Sequence, residues 1–360
     1  MPPKRPITLA TRWYSSGKPP SNDFRSRRSM LYVPGSSEKM IKKSQTSPAD
    51  CIIFDLEDSV APNRKGLARE TVFHALEACA RPGPELAVRI NPPSGDRGLS
   101  GDDLDMVLQS QQLETIVVPK VESEEDIRFI VEKAKALRAS SSSVHPDAGQ
   151  EGGGHHHHHR GTYSPLNLVL SVESAASLLR MPTIVEKITS ELESSSSSNA
   201  SPVRISALLF ASEDYCASTG ILRTRSRREL LFPRAQMATI ARAYGLQAID
   251  MVCVDYRDQQ NLSEECIDGR ELGFDGKQAI HPVQVETIQS KFSPSEQEIL
   301  KAARIKHHYE RSLKENKGAY GLKQGDSMVM IDAPMLLQAE IVLNKARSSG
   351  LEIPDVSKEE

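Results

Sequence analysis

The sequence lacks any hydrophobic run that approaches the ~18 residues of a membrane-spanning helix, so no membrane association is expected. It also lacks a large excess of charge of either sign, since its 360 residues carry a formal net charge of −3 and the pI is near 6.4. A nucleic-acid partner is therefore not expected. No C-x-x-C pair occurs among the five cysteines, and scattered thiols of this kind are typical of free cysteines in a reducing compartment.

Acidic residues are absent before Asp23, where only basic charges occur among scattered serines and threonines. The apolar core of a secretory signal is absent too. This composition predicts a mitochondrial transit peptide within residues 1–27 and a location in the mitochondrial matrix. The run RWYS resembles a matrix-protease site that would be cut before Ser15. The alternative is an ordinary disordered basic tail.

Short apolar runs separated by helix-like stretches repeat eight times along residues 28–292. Strand and helix alternating eight times over about 250 residues are the signature of an α/β fold of the (β/α)8 TIM-barrel type. A doubly wound open sheet is the alternative, but it needs a glycine-rich phosphate turn, and no G-x-G-x-x-G occurs. The predicted strands are 30–33, 51–56, 86–90, 115–118, 166–172, 205–210, 248–254 and 278–280, and the main predicted helices are 64–80, 124–138, 175–188 and 230–244.

Two low-complexity segments interrupt this pattern. Residues 140–161 hold a serine run followed by GGGHHHHHRG, and residues 193–201 hold five consecutive serines. Structural and catalytic metal sites need ligands that secondary structure holds in place, so the histidine run does not predict one. We interpret both segments as disordered insertions.

Residues 293–360 are too rich in apolar side chains for a solvated linker, and they predict a C-terminal helical and lid extension. Helices are expected at 294–316 and 334–348, with a short apolar run at 327–331 between them. The glycines of 318–325 indicate a flexible segment that redirects the chain.

Two of the predicted strands end in carboxylates. The run 166–172 is followed by Glu173, and ISALLFASED ends in Asp214. The carboxyl ends of barrel strands meet at one rim, where such barrels place their chemistry. Glu173 and Asp214 therefore predict a dicarboxylate site for Mg²⁺, which prefers oxygen ligands. The alternative is that both acids only cap the helices that follow.

Basic side chains stand near the ends of two other strands. Lys39 and Lys43 are four residues apart on the helix after the first strand, so they share one face and are able to hold phosphates. The alternative is a solvated helix face. Arg89 ends the third strand and offers a planar fork for a carboxylate or an enolate oxygen, with a buried ion pair as its alternative.

The motifs of this chain are also similar to those of a known family. In order from residue 28 they read LYVPGSSEKMIKK, FDLEDSV, VRIN, VPKVES, LVLSVESAASLL, LLFASEDYCAS, GLQAIDMV, GKQAIHP and IDAPMLLQA. Together they resemble the citrate lyase β-subunit-like acyl-CoA lyases. The resemblance implies a Mg²⁺-dependent (β/α)8 barrel, typically a homotrimer, that cleaves or forms the C–C bond of short hydroxyacyl-CoA thioesters.

The resemblance also implies roles for individual residues. It places Mg²⁺ on Glu173 and Asp214, and it makes Arg89 and Asp332 catalytic. Asp332 would be the acid–base residue, on a lid that covers the site of an adjacent subunit. The residues implied to contact the acyl-CoA substrate are Tyr32, Lys39, Lys43, Arg89, Ile280 and His281, the last two through the main chain. Those implied to hold the waters of the metal are Asp55, Glu57 and Asp58.

The reaction expected from the resemblance is cleavage of citramalyl-CoA to acetyl-CoA and pyruvate. The alternatives are a malyl-CoA lyase or thioesterase, a malate synthase-like condensation, or a subunit of a lyase complex without turnover of its own. One departure bears on this choice: the family often has two glycines where this chain has Ala211 and Ser212. Their Cβ atoms narrow the pocket if the backbone there approaches the ligands, so the substrate stays open.

Overall fold

The barrel predicted from the strand pattern is present. The computed structural model describes residues 25–142, 165–194, 201–314, 320–324 and 327–357, and these form a closed barrel of eight parallel strands in sequence order, with β1 beside β8. This closure rules out the doubly wound sheet. The strands are β1 Ser29–Pro34, β2 Cys51–Asp55, β3 Glu85–Arg89, β4 Thr115–Val118, β5 Leu166–Val172, β6 Val203–Phe210, β7 Gln247–Asp250 and β8 Gly276–Ala279.

Most strand predictions are correct to within two residues, and β7 is the exception. It ends at Asp250, whereas the apolar run predicted a strand as far as Val254. Its neighbour β8 pairs with it only at Ile249 and Asp250, so the later residues have no partner in the ladder. Val254 is 54% exposed. The apolar run 248–254 therefore predicted burial correctly for only part of its length.

Helices surround the barrel. Two of them extend into ranges predicted as disordered, because α4 reaches Ser142 and α5 reaches Ser194. Serine weakens a helix far less than glycine or proline, so a helix is able to continue into a serine run. The remainder of both ranges, including the histidine run, lies outside the described residues. The helices are α1 Glu38–Ser44, α2 Lys65–Ala78, α3 Arg97–Val107, α4 Glu124–Ser142, α5 Ala175–Ser194, α6 Ser212–Thr219, α7 Leu231–Ala243, α8 Gln259–Glu271, α9 Val285–Phe292, α10 Glu296–Lys314 and α11 Ala333–Ser348.

The barrel interior is packed with small and medium apolar side chains. Successive side chains of a strand point to opposite faces, so every second residue faces the barrel axis. Counting two residues on from the packed interior positions brings Tyr32, Asp55, Arg89 and Ala211 to the carboxyl-end rim, and counting four on from Val169 brings Glu173 there. The interior residues are Met30, Cys51, Ile53, Ala87, Val117, Val169, Ala207, Leu209 and Ile249.

A buried arginine closes the opposite end of the barrel. Arg27 is 2% exposed, and its Nε and Nη2 donate to Glu85 at 2.7 Å each. Its Nη1 donates to Ser206 Oγ and Gln247 Oε1, both at 2.9 Å. The range 1–27, predicted as a transit peptide, thus includes Arg27, which is the cation that buried Glu85 requires. Residues 1–24 lie outside the described residues.

The C-terminal extension packs as a unit against the barrel. Its helices α10 and α11 share an apolar cluster that includes Ile299, Ala339 and Leu343. Ion pairs join it to the barrel, with Lys345 at 3.1 Å from Asp275. The division at residue 293 stays a prediction.

One part of this extension differs from its prediction. The glycine-containing segment 318–325 was predicted as a flexible turn, but Tyr320–Gln324 forms strand β9, antiparallel to β10, Ser327–Ile331. The pairing runs over all five residues of each strand, and hydrogen bonds to β10 outweigh the low strand propensity of one glycine.

None of the helices in the described ranges combines the length and the apolar composition that a membrane span requires.

Candidate active site at the carboxyl-end rim

An arginine–aspartate pair lies at the centre of the rim. Asp55 and Arg89 are partners in the β2–β3 register, and Arg89 donates from Nε and Nη2 to the two oxygens of Asp55 at 2.7 Å each. The guanidinium lies 4.8 Å from the centroid of the Tyr32 ring. Burial opposes the charge of Asp55, but the bonds from Arg89 outweigh it and lower its pKa. Hydrogen bonds from Glu57 N and Ser59 N, at 2.9 and 3.1 Å, complete its coordination.

Glu57 joins this pair to a second cation. Its Oε2 lies 2.9 Å from Arg89 Nη1, and its Oε1 accepts from Lys120 Nζ at 2.5 Å. Burial raises the pKa of Glu57, and the two cations offset this only in part. Asp58 lies 3.8 Å from both cations but is 58% exposed, so it contributes less. The three acids predicted to surround the metal therefore lie together around Arg89.

Glu173 and Asp214 form a separate acidic pair at the same rim. Glu173 is 6% exposed, and burial, then the charge of Asp214, then that of Glu57 raise its pKa to about 7. Asp214 lies in the first turn of α6, and its neighbour Glu213 is paired with Arg223. In the described part of the chain, the ion pairs of this rim involve Arg89, Lys120 and Arg223 and do not include Glu173 or Asp214.

These acids fit a hydrated divalent cation. Two neighbouring carboxylates without a protein cation between them favour a positive charge from outside the chain. Glu57 Oε2 is buried and accepts no hydrogen bond among the described residues, although Arg89 lies close to it. A water bound to the metal is the kind of donor that this oxygen lacks. No group of three or more metal-ligating side chains occurs in the described ranges, so such a cation would keep several waters.

The residues predicted to bind the CoA portion lie on other elements. Lys39 and Lys43 are exposed on α1, which follows β1 at this rim. The main-chain N–H groups of Ile280 and His281 both donate to Gln284 Oε1, at 2.9 and 3.2 Å. The carbonyl of His281 also accepts a bond, from Gln284 N at 3.0 Å. A main-chain contact to substrate in this segment would therefore use the carbonyl of Ile280 or the second lone pair of the His281 carbonyl.

Asp332 is not part of this rim in the described structure. It precedes α11 as its N-cap, is exposed, and accepts a hydrogen bond from Met335 N at 2.9 Å. An aspartate at the N-cap position of a helix commonly accepts this hydrogen bond. Its catalytic role therefore stays a prediction, and it requires a second chain or a movement of the extension.

Ala211 and Ser212 stand where α6 begins. Ala211 packs against the barrel interior, and Ser212 is buried and donates to Glu213 Oε1 at 3.2 Å. The effect of their Cβ atoms on the pocket stays a prediction.

Lys120 is the rim residue to which the sequence analysis gave no role. It follows β4 in VPKVES, so its position at a strand end was the available signal. Its left-handed backbone and its bond to Glu57 become apparent only in the folded chain.

The fold and the rim together are those of a (β/α)8-barrel enzyme with a cluster of acids at the carboxyl ends of its strands. Residues 28–282 match the HpcH/HpaI aldolase/citrate lyase family, and the chain belongs to that family. This confirms the resemblance seen in the motifs.

Three relatives show the extent of the similarity. The chain is 35% identical over 323 residues to human mitochondrial citramalyl-CoA lyase, covering 89% of this chain and 86% of the relative. It is 30% identical over 327 residues to citrate lyase subunit beta of Escherichia coli K12, covering 91% and 95%. The structure of CitE from Mycobacterium tuberculosis in complex with magnesium, acetoacetate and coenzyme A matches with a TM-score of 0.62 at 24% identity, covering 89% and 98%.

Proposed function

We propose that this protein is a Mg²⁺-dependent carbon–carbon lyase that cleaves citramalyl-CoA to acetyl-CoA and pyruvate. The observation that carries the proposal is the rim itself, where a carboxylate pair that takes part in no ion pair among the described residues lies at the same rim as an arginine held in a fixed orientation. The name of the human relative and the magnesium and coenzyme A of the M. tuberculosis complex support the same reading.

Glu173 and Asp214 are the residues that would hold Mg²⁺, with Asp55, Glu57 and Asp58 around its waters. When bound, the ion supplies Lewis-acid chemistry, lowering the pKa of the substrate hydroxyl and stabilising negative charge by several kcal/mol. The raised pKa of Glu173 reflects burial and the repulsion of Asp214, both of which a cation offsets.

Arg89 is positioned to bind the substrate anion. Its Nε and Nη2 donate to Asp55, and its Nη1 lies 2.9 Å from Glu57 Oε2, so a substrate oxygen would bind the remaining N–H groups of Nη1 and Nη2. The side chain is 16% exposed, so it reaches the pocket only along one edge. A guanidinium held in this way stabilises charge that develops on the substrate without having to reorganise.

Cleavage removes the hydroxyl proton, breaks the C–C bond and leaves pyruvate with the enolate of acetyl-CoA. That enolate must gain a proton at carbon, and Asp332 of an adjacent subunit is the proposed acid–base residue. Tyr32, Lys39, Lys43 and the main chain at Ile280 and His281 would hold the thioester. This arrangement rests on a homotrimer in which each extension forms a lid over the neighbouring barrel.

The exposed face of α11 supports such a contact. Leu337 and Ile341 are four residues apart and are 38% and 49% exposed, so they form one apolar strip on the helix. Exposed apolar surface of this kind is common at interfaces.

The proposal is tested by assaying the purified protein alone with Mg²⁺ and separate citramalyl-CoA, malyl-CoA and citryl-CoA substrates. Release of pyruvate from citramalyl-CoA at the highest kcat/KM is the expected result. Preference for malyl-CoA, with glyoxylate or free CoA as product, would replace the proposed substrate. Absence of turnover with every thioester would indicate a subunit of a larger complex.

Arg89→Lys separates substrate binding from internal pairing. Lysine keeps the charge but loses the planar fork, so we expect kcat/KM to fall by ~10²-fold or more. Thermal unfolding of the same variant decides the interpretation. A loss of activity with a Tm close to that of wild type supports a substrate contact, and a large drop in Tm would indicate that Arg89 is chiefly the partner of Asp55.

We also propose that the protein is imported into the mitochondrial matrix. Arg25 to Arg28 belong to the folded barrel, since Arg27 closes its floor and Arg28 donates to Asp50 Oδ1 at 2.7 Å. Processing should therefore leave these residues intact. Mass spectrometry of the endogenous protein should find a new terminus between Ser15 and Arg25. Most molecules beginning at Met1 or Pro2 would contradict import.

A further inference from the structure

Lys120 has an unusual backbone conformation for a residue with a side chain. Its φ is +48°, in the left-handed region, directly after β4. A Cβ makes this conformation costly, and residues that adopt it are held there by their surroundings and are frequent at active sites. Here Ser94 Oγ donates to the Lys120 carbonyl at 2.9 Å and holds the turn from the β3–α3 loop.

This turn directs the ammonium of Lys120 to a buried carboxylate. The ammonium donates to Glu57 Oε1 at 2.5 Å, and the other oxygen of Glu57 lies 2.9 Å from Arg89 Nη1. Lys120 is thereby joined to the arginine of the rim through Glu57.

The contact is unlike a surface ion pair. Glu57 is 4% exposed, and a buried carboxylate needs its cations to keep its charge and orientation. Lys120 itself is 39% exposed, so its ammonium reaches the edge of the pocket while its partner stays inside.

We propose that Lys120 is a positioning residue of the reaction: it fixes Arg89 through Glu57. This inference rests on the proposed function. The left-handed turn at Lys120 places the ammonium beside Glu57, and Glu57 in turn lies against the guanidinium that would hold the substrate.

The proposal is tested with Lys120→Met and Lys120→Arg. Loss of a residue that orients a metal or substrate ligand typically costs 10–100-fold. We expect Lys120→Met to lower kcat by about this factor with little change in the KM for the thioester, since the CoA contacts lie on other elements. Lys120→Arg keeps a cation beside Glu57 and should recover most of the loss.

Lys133→Met is the matched control. It removes the same ammonium from an exposed pair with Asp105, 2.7 Å away on the outside of the barrel, and should leave kcat unchanged. Full activity of Lys120→Met, or equal losses in the Met and Arg variants, would overturn the side-chain role. A wild-type protein without Mg²⁺-dependent turnover would instead contradict the proposed function.

A second pair of variants, Lys120→Gly and Lys120→Ala, separates positioning from stability. Glycine adopts φ +48° freely and alanine does not, so the glycine variant should have the higher Tm. Both variants lack the ammonium, so both should be equally slow despite this difference. Activity that rises with Tm from Ala to Gly would show that Lys120 acts only through stability and would overturn the proposal. Equal Tm values would overturn the claim of strain.

Discussion

Glu173→Gln and Asp214→Asn should each abolish Mg²⁺ binding and slow turnover by on the order of 10³-fold. The metal is asked to supply several kcal/mol of transition-state stabilisation, and each 1.4 kcal/mol or so is a factor of ten in rate. Both substitutions keep the size of the side chain and remove its charge. Isothermal titration with Mg²⁺ measures the binding, and the citramalyl-CoA assay measures the turnover.

The pH dependence of binding adds a second readout to this prediction. Burial, followed by the charges of Asp214 and Glu57, raises the pKa of Glu173 to about 7, and the cation binds the ionised carboxylate. Below that pH a proton must leave before the metal binds, so the affinity should fall by up to about tenfold per pH unit. An affinity independent of pH between 6 and 8 would contradict a role for Glu173.

Glu186→Gln is a suitable control, because the substitution makes the same chemical change away from the rim. Glu186 is exposed on α5. It should bind Mg²⁺ as wild type does. Unchanged Mg²⁺ affinity in both the Glu173 and Asp214 variants would exclude this pair as the metal site.

The barrel was predictable because its signals are local. Most strands are short apolar runs, although β8 has the sequence GKQA, and an apolar run followed by an acid marks the rim end of a strand, as at Glu173. The floor of the barrel was not predictable in this way. Arg27 pairs with Glu85, 58 residues later, and with Gln247, 220 residues later. Only the closed barrel brings these residues together. From the sequence alone, Arg27 was therefore assigned to the basic N-terminal segment.

The candidate site shows the same difference between local sequence signals and tertiary contacts. Arg89 was expected at the rim from its position at a strand end and Asp55 from the family resemblance, but the bidentate pair depends on the β2–β3 register. This pair matches the alternative of a buried ion pair, so a substrate contact of Arg89 stays a prediction. Lys120 carried no distinctive signal, because a left-handed φ in a non-glycine residue is set by tertiary contacts.

Mixing two inactive variants should restore activity if the extension completes the neighbouring site. Asp332→Asn alone should lose ~10²–10⁴-fold in turnover, the range for a positioned acid–base group. It should remain stable, since asparagine caps a helix as well as aspartate does and the bond from Met335 N is kept. Asp214→Asn is inactive for a different reason, because it lacks the metal ligand of its own barrel.

In a mixed trimer, a barrel from the Asp332→Asn chain is able to receive the intact extension of an Asp214→Asn chain. With equal amounts of each chain and free exchange, about one site in four then has both aspartates, because a closed ring pairs each barrel with one neighbour. Activity should therefore recover to roughly a quarter of wild type on this statistical count. Each variant treated alone through the same exchange step is the control.

The result distinguishes the two roles considered for Asp332, a helix cap and an acid–base residue of the neighbouring site. Its observed geometry is that of a helix cap, and a cap alone predicts full activity for Asp332→Asn and ~1 kcal/mol of lost stability for Asp332→Ala. An inactive Asp332→Asn that stays inactive in mixed oligomers, shown by mass to contain both chains, would place the residue in its own barrel. Recovery requires a shared site, because neither chain carries both aspartates.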